Sequence, residues 1–261
     1  HTVFNVLNTL VFIWFIPQLE KWVVKIMPST DEDDEQTYLK YLTSGVMGTP
    51  ELSIANARME VQLMAKMIDK ICVSYMALLF EKPKNVNKLL AKIKKREEIT
   101  DKMELEISKY LTKCAEGELS ASASKRIREM LRVVNDLERI ADVVYQLSLS
   151  HERLIENKFT LKEDVVHELK DLFGDVYKGI KSMRTNLDIL PDEVNMDAVY
   201  ELENRINSKR DSYQQTHYER IEDNVYHLQE GLVFLDLIHG MEKIGDHIVN
   251  VNEAVAGLKF K

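Results

Sequence analysis

Two segments of the sequence carry the same pair of carboxylates at the same spacing. The pairs are Glu138 with Asp142, in RVVNDLERIADVVYQL, and Glu242 with Asp246, in DLIHGMEKIGDHIVNV. Carboxylate oxygens are hard ligands that suit Mg, Ca, Mn or Fe ions. Because an unpaired buried carboxylate is costly, each pair needs a proton, a basic partner or a cation. The four acids are therefore candidate ligands of a metal ion.

Each pair has a fixed angular position relative to an apolar face. An α-helix turns by about 100° per residue, so residues four apart lie on the same side. In the first copy Glu138 falls within the apolar stripe and Asp142 lies at its edge, and Glu242 and Asp246 occupy the same two positions in the second copy. We therefore expect both pairs to be turned toward the interior of a helical bundle.

A third acid pair, Glu97 and Asp101, repeats this spacing one predicted helix earlier. Its phase lies outside the apolar stripe of that helix, so we expect it at the surface unless a neighbouring helix brings it to the site. In the corresponding helix of the second half, Glu203 is followed four residues later by Asn207. The sequence therefore predicts no matching acid pair there.

Long helices are needed to hold these residues in place. Only nine Gly and five Pro occur in 261 residues, which favours long uninterrupted elements. Helix starts are indicated by Thr49-Pro50-Glu51, by Ser120 and by a capping box at Thr160–Glu163. The predicted fold is all-α, with two tandem three-helix bundles whose third members carry the main acid pairs. The six helices are expected to end near Phe80, Ala115, Asn157, Leu187, Ile221 and Gly257.

The chain begins with an uncharged apolar stretch at residues 3–16. A bilayer-spanning helix needs about 20 residues, so this stretch is interpreted as the end of a membrane helix; a buried helix is the alternative. The amphipathic residues after Pro17 suit the membrane interface. The predicted organisation is the end of a membrane region with an interfacial helix, an acidic linker and two bundles, at 1–28, 29–48, 49–157 and 158–261.

Composition excludes several classes of protein. A net charge of −8 argues against nucleic acid as a partner. The two cysteines, Cys72 and Cys114, do not indicate a disulfide framework. The sequence contains no phosphate-binding glycine loop, no dinucleotide fingerprint and no nucleophile elbow. We therefore do not expect an enzyme.

Two parts of the chain resemble known families. DLERIAD (136–142) and MEKIGDH (241–247) resemble the repeated Glu-x-x-x-Asp motif of PhoU-like domains, which are tandem three-helix bundles involved in phosphate regulation. This resemblance covers roughly residues 49–256. HTVFNVLNTL (1–10) is similar to the last membrane segment of bacterial sodium/phosphate cotransporters, several of which carry a PhoU-like domain at the C terminus. The chain thus resembles the C-terminal part of such a cotransporter.

The resemblance implies a cytoplasmic PhoU-like regulatory or accessory domain of a sodium-dependent phosphate transporter in the inner (plasma) membrane. The implied partners are the upstream membrane transport domain of the same protein and, through it, phosphate and sodium; a homodimer is also compatible. In some members the repeated motif binds metal clusters. The implied ligands, for Fe, Mg, Mn or Ca, are Glu138, Asp142, Glu242 and Asp246, with Glu97 and Asp101 as weaker additions.

Two other functions remain open. A carboxylate-bridged metalloenzyme would normally add Glu-x-x-His pairs from two helices. Neither motif offers one, and Asp236 with His239 is the nearest imitation. A helical adaptor in phosphate regulation would hold no metal, because its carboxylates would pair with basic side chains such as Arg96. Metal content distinguishes these alternatives.

Overall fold

The computed structural model describes residues 39–42, 49–80, 86–117, 119–159, 161–222 and 228–257. These residues form six long α-helices, with a short 3-10 helix at Pro191–Glu193. The long helices are α1 Pro50–Phe80, α2 Val86–Ala115, α3 Ala121–Glu156, α4 Glu163–Asn186, α5 Met196–Glu222 and α6 Leu228–Val255. The predicted all-α, six-helix fold is confirmed. The predictions for residues 1–28, and for all but 39–42 of the linker, lie outside the described residues.

The predicted helix ends agree with the observed ones to within about two residues. Ser120 caps α3 as expected, since its Oγ accepts a hydrogen bond from the backbone N–H of Ala123 at 3.1 Å. The capping box predicted for α4 rests on Thr160, which lies outside the described residues. That helix begins at Glu163, and the cap position is held by Lys162, which makes no side-chain cap bond. None of the described helices is long and apolar enough to cross a bilayer.

The helices pack in two sets of three. In the described residues α1, α2 and α3 contact one another, as do α4, α5 and α6, and the most extensive contact joins α3 to α6. The contact between α3 and α6 is apolar because both helices repeat apolar residues at helical spacing. Fully or almost fully buried members are Val134, Leu137, Ile140, Ala141 and Val144 of α3, and Phe234, Leu237, Ile238, Met241 and Ile244 of α6. The helices with the duplicated acids therefore face each other.

A glycine permits the close approach of α3 and α6. A Cβ atom added at Gly240 would lie 2.6 Å from Cδ2 of Leu147, well inside van der Waals contact. Leu147 is almost fully buried. Any larger residue at this position of α6 would therefore have to displace packed side chains of α3.

A second seam joins α1 to α4. The rings of Tyr75 and Phe173 meet edge to face with their centroids 4.9 Å apart. Asp69 forms an ion pair with Arg184. Arg58 Nη2 donates hydrogen bonds to the carbonyls of Leu187 and Ile189 at 3.0 and 2.9 Å. Apolar and polar contacts thus join the two sets of helices along a second line.

Candidate functional site

The first motif is completed by α2. Asp142 on α3 raises the pKa of both Glu97 and Asp101 on α2, so these acids lie within electrostatic range of one another. Glu97 is half-buried and Asp101 is exposed. The sequence predicted this pair at the surface unless a neighbouring helix brought it to the site. Packing of α2 against α3 does so, and four carboxylates then share one region.

The proton affinity of Glu97 reflects this crowding. Burial is the main reason that its pKa rises, and the charges of Asp101, Asp142, Glu98 and Glu138 add to it, bringing the pKa to about 7. The charged form is disfavoured because it loses hydration and faces like charges. Near neutral pH this group therefore exchanges a proton readily, and a bound cation would compete with that proton.

Two other members of the group show the same trend. Burial, followed by the charges of Asp142, Glu104 and Glu98, raises the pKa of Asp101. Burial also raises the pKa of Glu138, although the neighbouring Arg139 opposes the rise. The Arg139 Nε lies 3.7 Å from Glu138 Oε2. This arginine side chain is 56% exposed, so its ion pair contributes little.

The carboxylates lie at the edge of the bundle and not within it. Glu138 and Glu242 have side chains 25% and 20% exposed, Asp142 is half-buried and Asp246 is exposed. The expectation that both pairs point into the interior is therefore wrong for Asp246, which is exposed, and is met only in part by the half-buried Glu138, Asp142 and Glu242. The larger apolar residues of α3 and α6 occupy that position, and the motif acids flank them. A carboxylate at such an edge keeps part of its hydration, which lowers the cost of leaving it charged.

The second motif has a different electrostatic environment. Arg210 of α5 places Nη2 at 3.6 Å from Glu242 Oε1, and this arginine side chain is only 24% exposed. Burial and then Glu242 raise the pKa of Asp246, while His247 and Arg210 lower it. On α5, Asn207 donates a hydrogen bond to Glu203 at 3.0 Å, where the first bundle has two acids. The duplicated motifs are therefore not equivalent in charge.

Sequence reasoning missed a polar contact between the two motif helices. Asp136 of α3 is buried, and its Oδ1 lies 2.8 Å from His247 Nδ1 and accepts a hydrogen bond from Asn250 at 3.2 Å. Asp136 precedes Glu138 by two residues, and His247 follows Asp246 directly. Both stand inside the quoted motif segments, but only the pairing of α3 with α6 shows that they meet.

The basic residue suggested as a partner of the acids, Arg96, is engaged with α1. It is 3% exposed, and its Nη1 donates hydrogen bonds to the carbonyl of Lys70 and to Ser74 Oγ, both at 2.9 Å. Asp236 and His239, the residues closest to the Glu-x-x-His pair of a metalloenzyme, also have other partners. Asp236 pairs with Arg153 at 3.5 Å, and His239 Nε2 lies 3.2 Å from Gln214 Oε1.

Other features of the described region bear on the candidate ligands. No three acidic, histidine or cysteine side chains in that region are arranged to hold a metal ion. The four acids of the first motif would have to rotate toward one another to share one ion.

A cavity of about 340 Å³ lies away from both motifs, between α1, α3, the 3-10 helix and the end of α6. Its polar lining residues include Arg58, Arg126 and Glu129.

Comparison with known families identifies a similar domain. The PhoU domain family matches residues 60–148, about a third of the chain, which includes most of α1 to α3 and the first motif. The crystal structure of PhoU from Pseudomonas aeruginosa superposes with a TM-score of 0.69 at 16% identity, covering 78% of this chain and 96% of that one. The fold is therefore PhoU-like.

Curated relatives extend the similarity over almost the whole chain. Two of them, from Salmonella typhimurium strain LT2 and Escherichia coli strain K12, are described as "Putative inorganic phosphate export protein YjbB". They are 19% and 20% identical over 257 residues, which is 98% of this chain and 46% of each relative. The chain thus spans about half the length of the curated relatives that it matches.

Proposed function

We propose that the chain is the C-terminal part of a sodium-dependent phosphate transport protein and that its helical region is a PhoU-like regulatory or accessory domain. The supporting observation is the match to phosphate export proteins over 98% of this chain but only 46% of theirs, together with the PhoU-like fold. In this proposal residues 1–28 end the membrane region and 29–48 form the linker. The bundles at 49–157 and 158–261 act by binding and not by catalysis.

The first motif is the proposed metal site of this domain. Glu97, Asp101, Glu138 and Asp142 supply only oxygen donors, which suits Mg, Ca, Mn or Fe. The raised pKa of Glu97 supports this assignment, because burial and then the charges of the neighbouring acids both disfavour a carboxylate that has no positive partner. A bound cation would supply that positive charge and would connect α2 to α3.

The second motif fits a metal ion less well. Arg210 already places a cation beside Glu242, and Asn207 stands where the first bundle has Asp101. A metal ion at Glu242 and Asp246 would have to compete with the arginine. We therefore propose that the second pair binds metal more weakly than the first.

The proposed location is the cytoplasmic face of the inner membrane, next to the transport region of the same protein. Phosphate and sodium would be handled by that region, and a homodimer is compatible with the domain. A metal-free helical adaptor is the second candidate. It is favoured by the ion pairs of Glu138 with Arg139 and of Glu242 with Arg210.

Phosphate flux in cells tests the main proposal. The full-length protein, expressed in a bacterial strain that lacks its other phosphate transporters, is expected to carry radiolabelled phosphate in a sodium-dependent manner. Paired Glu138→Gln and Asp142→Asn substitutions should change the maximal flux without changing the amount of protein in the membrane. Flux that is independent of sodium, or that is unaffected even by removal of residues 49–261, would contradict the proposal.

A further inference from the structure

A buried carboxylate on α1 holds the chain segment that precedes this helix. Glu60 is completely buried. Its Oε1 accepts hydrogen bonds from the backbone N–H groups of three successive residues, Lys40, Tyr41 and Leu42. The N···O distances to Lys40 and Leu42 are 2.7 and 3.1 Å. One side-chain oxygen thus binds an entire short stretch of backbone.

The arrangement is a backbone nest occupied by an internal anion. Successive N–H groups that converge on one point form a concavity that binds negative charge. Hydrogen bonds from an N–H group to a carboxylate are shorter and stronger than those to a neutral acceptor. The other oxygen of Glu60, Oε2, is buried without a hydrogen-bond partner among the described residues. The three N–H groups are therefore the hydrogen-bond donors that the described residues supply to this buried carboxyl group.

The position of Glu60 along α1 gives the contact its consequence. Glu60 lies ten residues after Pro50, the first residue of the helix, which is about 15 Å along the axis at 1.5 Å per residue. Residues 40–42 come before the helix start in sequence but bind beside its third turn. The contact therefore fixes residues 40–42 to the side of α1, about three turns from the start of the helix.

We propose that Glu60 is a latch that sets where the preceding chain joins the helical domain. With the latch closed, the attachment point is the side of α1, and the connection cannot slide along the helix. With the latch open, residues 40–42 are released from α1 and lengthen the connection. If the proposed function holds, the closed latch would reduce the number of free linker residues between the membrane region and the helical domain. The latch itself does not depend on that function.

Amide hydrogen exchange of the whole 261-residue chain, followed by mass spectrometry, tests the latch. The amides of residues 40–42 should be protected in the wild type. Glu60→Ala should lower their protection at least tenfold, and Glu60→Gln, which keeps an oxygen acceptor without the charge, should lower it by less. Glu51→Gln is the matched control, because Glu51 is an exposed acid on the same helix. It should leave residues 40–42 unchanged.

Protection of the core amides of α3 in the same experiment reports whether each variant is folded. A loss confined to residues 40–42 in the Glu60 variants supports the latch. Three results overturn it: unprotected amides in the wild type, protection retained in Glu60→Ala, or loss spread over all helices in both Glu60 variants. None of these results involves phosphate flux, so failure of the latch and failure of the proposed function can be told apart.

Discussion

The carboxylate of Asp136 on α3 lies 2.8 Å from the imidazole Nδ1 of His247 on α6. These residues belong to the two helices that carry the duplicated acids, and Asn250 donates to the same oxygen of Asp136. The motif helices are therefore joined by a specific polar contact as well as by apolar packing. A displacement of one motif helix would therefore alter the hydrogen bonds that the other motif helix makes through Asp136.

Replacing Asp136 by Ala should destabilise the fold. The substitution leaves His247 and Asn250 without their acceptor at a mostly buried position, and an unsatisfied buried donor costs about 1–3 kcal/mol. Urea unfolding at neutral pH measures the difference. Asp236→Ala, at a 57% exposed residue of α6, is the control and should cost about 0–1 kcal/mol. Equal losses in the two variants would show that the Asp136 contact contributes nothing special.

The two motifs should differ in metal affinity. Paired Glu138→Gln and Asp142→Asn substitutions should weaken binding of Mn²⁺ on the order of tenfold or more. Loss of a residue that only hydrogen-bonds to a metal ligand already has an effect of about this size, and these substitutions change the proposed ligands themselves. Paired Glu242→Gln and Asp246→Asn substitutions should have a smaller effect, because Arg210 already lies beside Glu242 and would compete with the metal ion.

Calorimetric titration with Mn²⁺ and elemental analysis of the purified chain measure this difference. The control is Glu106→Gln, on α2, because Glu106 pairs with Lys109 at the surface. A wild-type chain that binds no metal would favour the metal-free adaptor. Equal losses at the two motifs would contradict the proposed difference between them.

Stability should fall as the pH rises from about 4.5 to about 7. The pKa of Glu97 is raised from 4.5 to about 7, mainly by burial and then by nearby acids. In this window the folded state holds more protons than the unfolded state, so the free energy of unfolding decreases with pH. Burial also raises the pKa of Asp101 and Glu138, which act in the same direction.

Glu97→Gln removes one titrating group, so it should flatten the pH profile of stability and stabilise the fold above pH 7. Urea unfolding at several pH values, with Glu106→Gln as the control at a side chain that is 43% exposed, measures the effect. Carbon-13 NMR of the Glu97 carboxyl should give a midpoint near 7 that moves downward when Mg²⁺ is added. A midpoint near the ordinary value of 4.5 would contradict the crowding of the four acids.

Glycine substitutions should separate helix propensity from packing. Gly174→Ala, where no atom lies within 4 Å of the added Cβ, should stabilise α4 by about 0.5–1 kcal/mol. Gly240→Ala gains the same propensity but places its Cβ 2.6 Å from Leu147, and overpacking costs about 1–3 kcal/mol. Thermal unfolding should therefore rank Gly240→Ala below Gly174→Ala. The reverse order would mean that α3 and α6 separate easily.

The sequence alone determined the helices and their order. Apolar residues at helical spacing and the caps at Thr49-Pro50 and Ser120 are local signals, so they placed the helix ends to within about two residues. Duplication of Glu-x-x-x-Asp likewise identified the two helices that turned out to face each other. Helical phase at about 100° per residue was too coarse to tell the centre of the buried stripe from its edge, so the depth of Glu138 was overestimated.

Tertiary structure decided which side chains meet. Glu97 joins the first motif, Arg210 pairs with Glu242 of the second, Asp136 contacts His247, and Glu60 binds backbone about twenty residues upstream. None of these contacts is encoded in a local pattern. The first three depend on which helices are neighbours and on how far one is displaced along its axis relative to the other, and the fourth depends on where the segment before α1 lies against that helix. That displacement is set by the packing of many apolar side chains at once, which no single stretch of sequence contains.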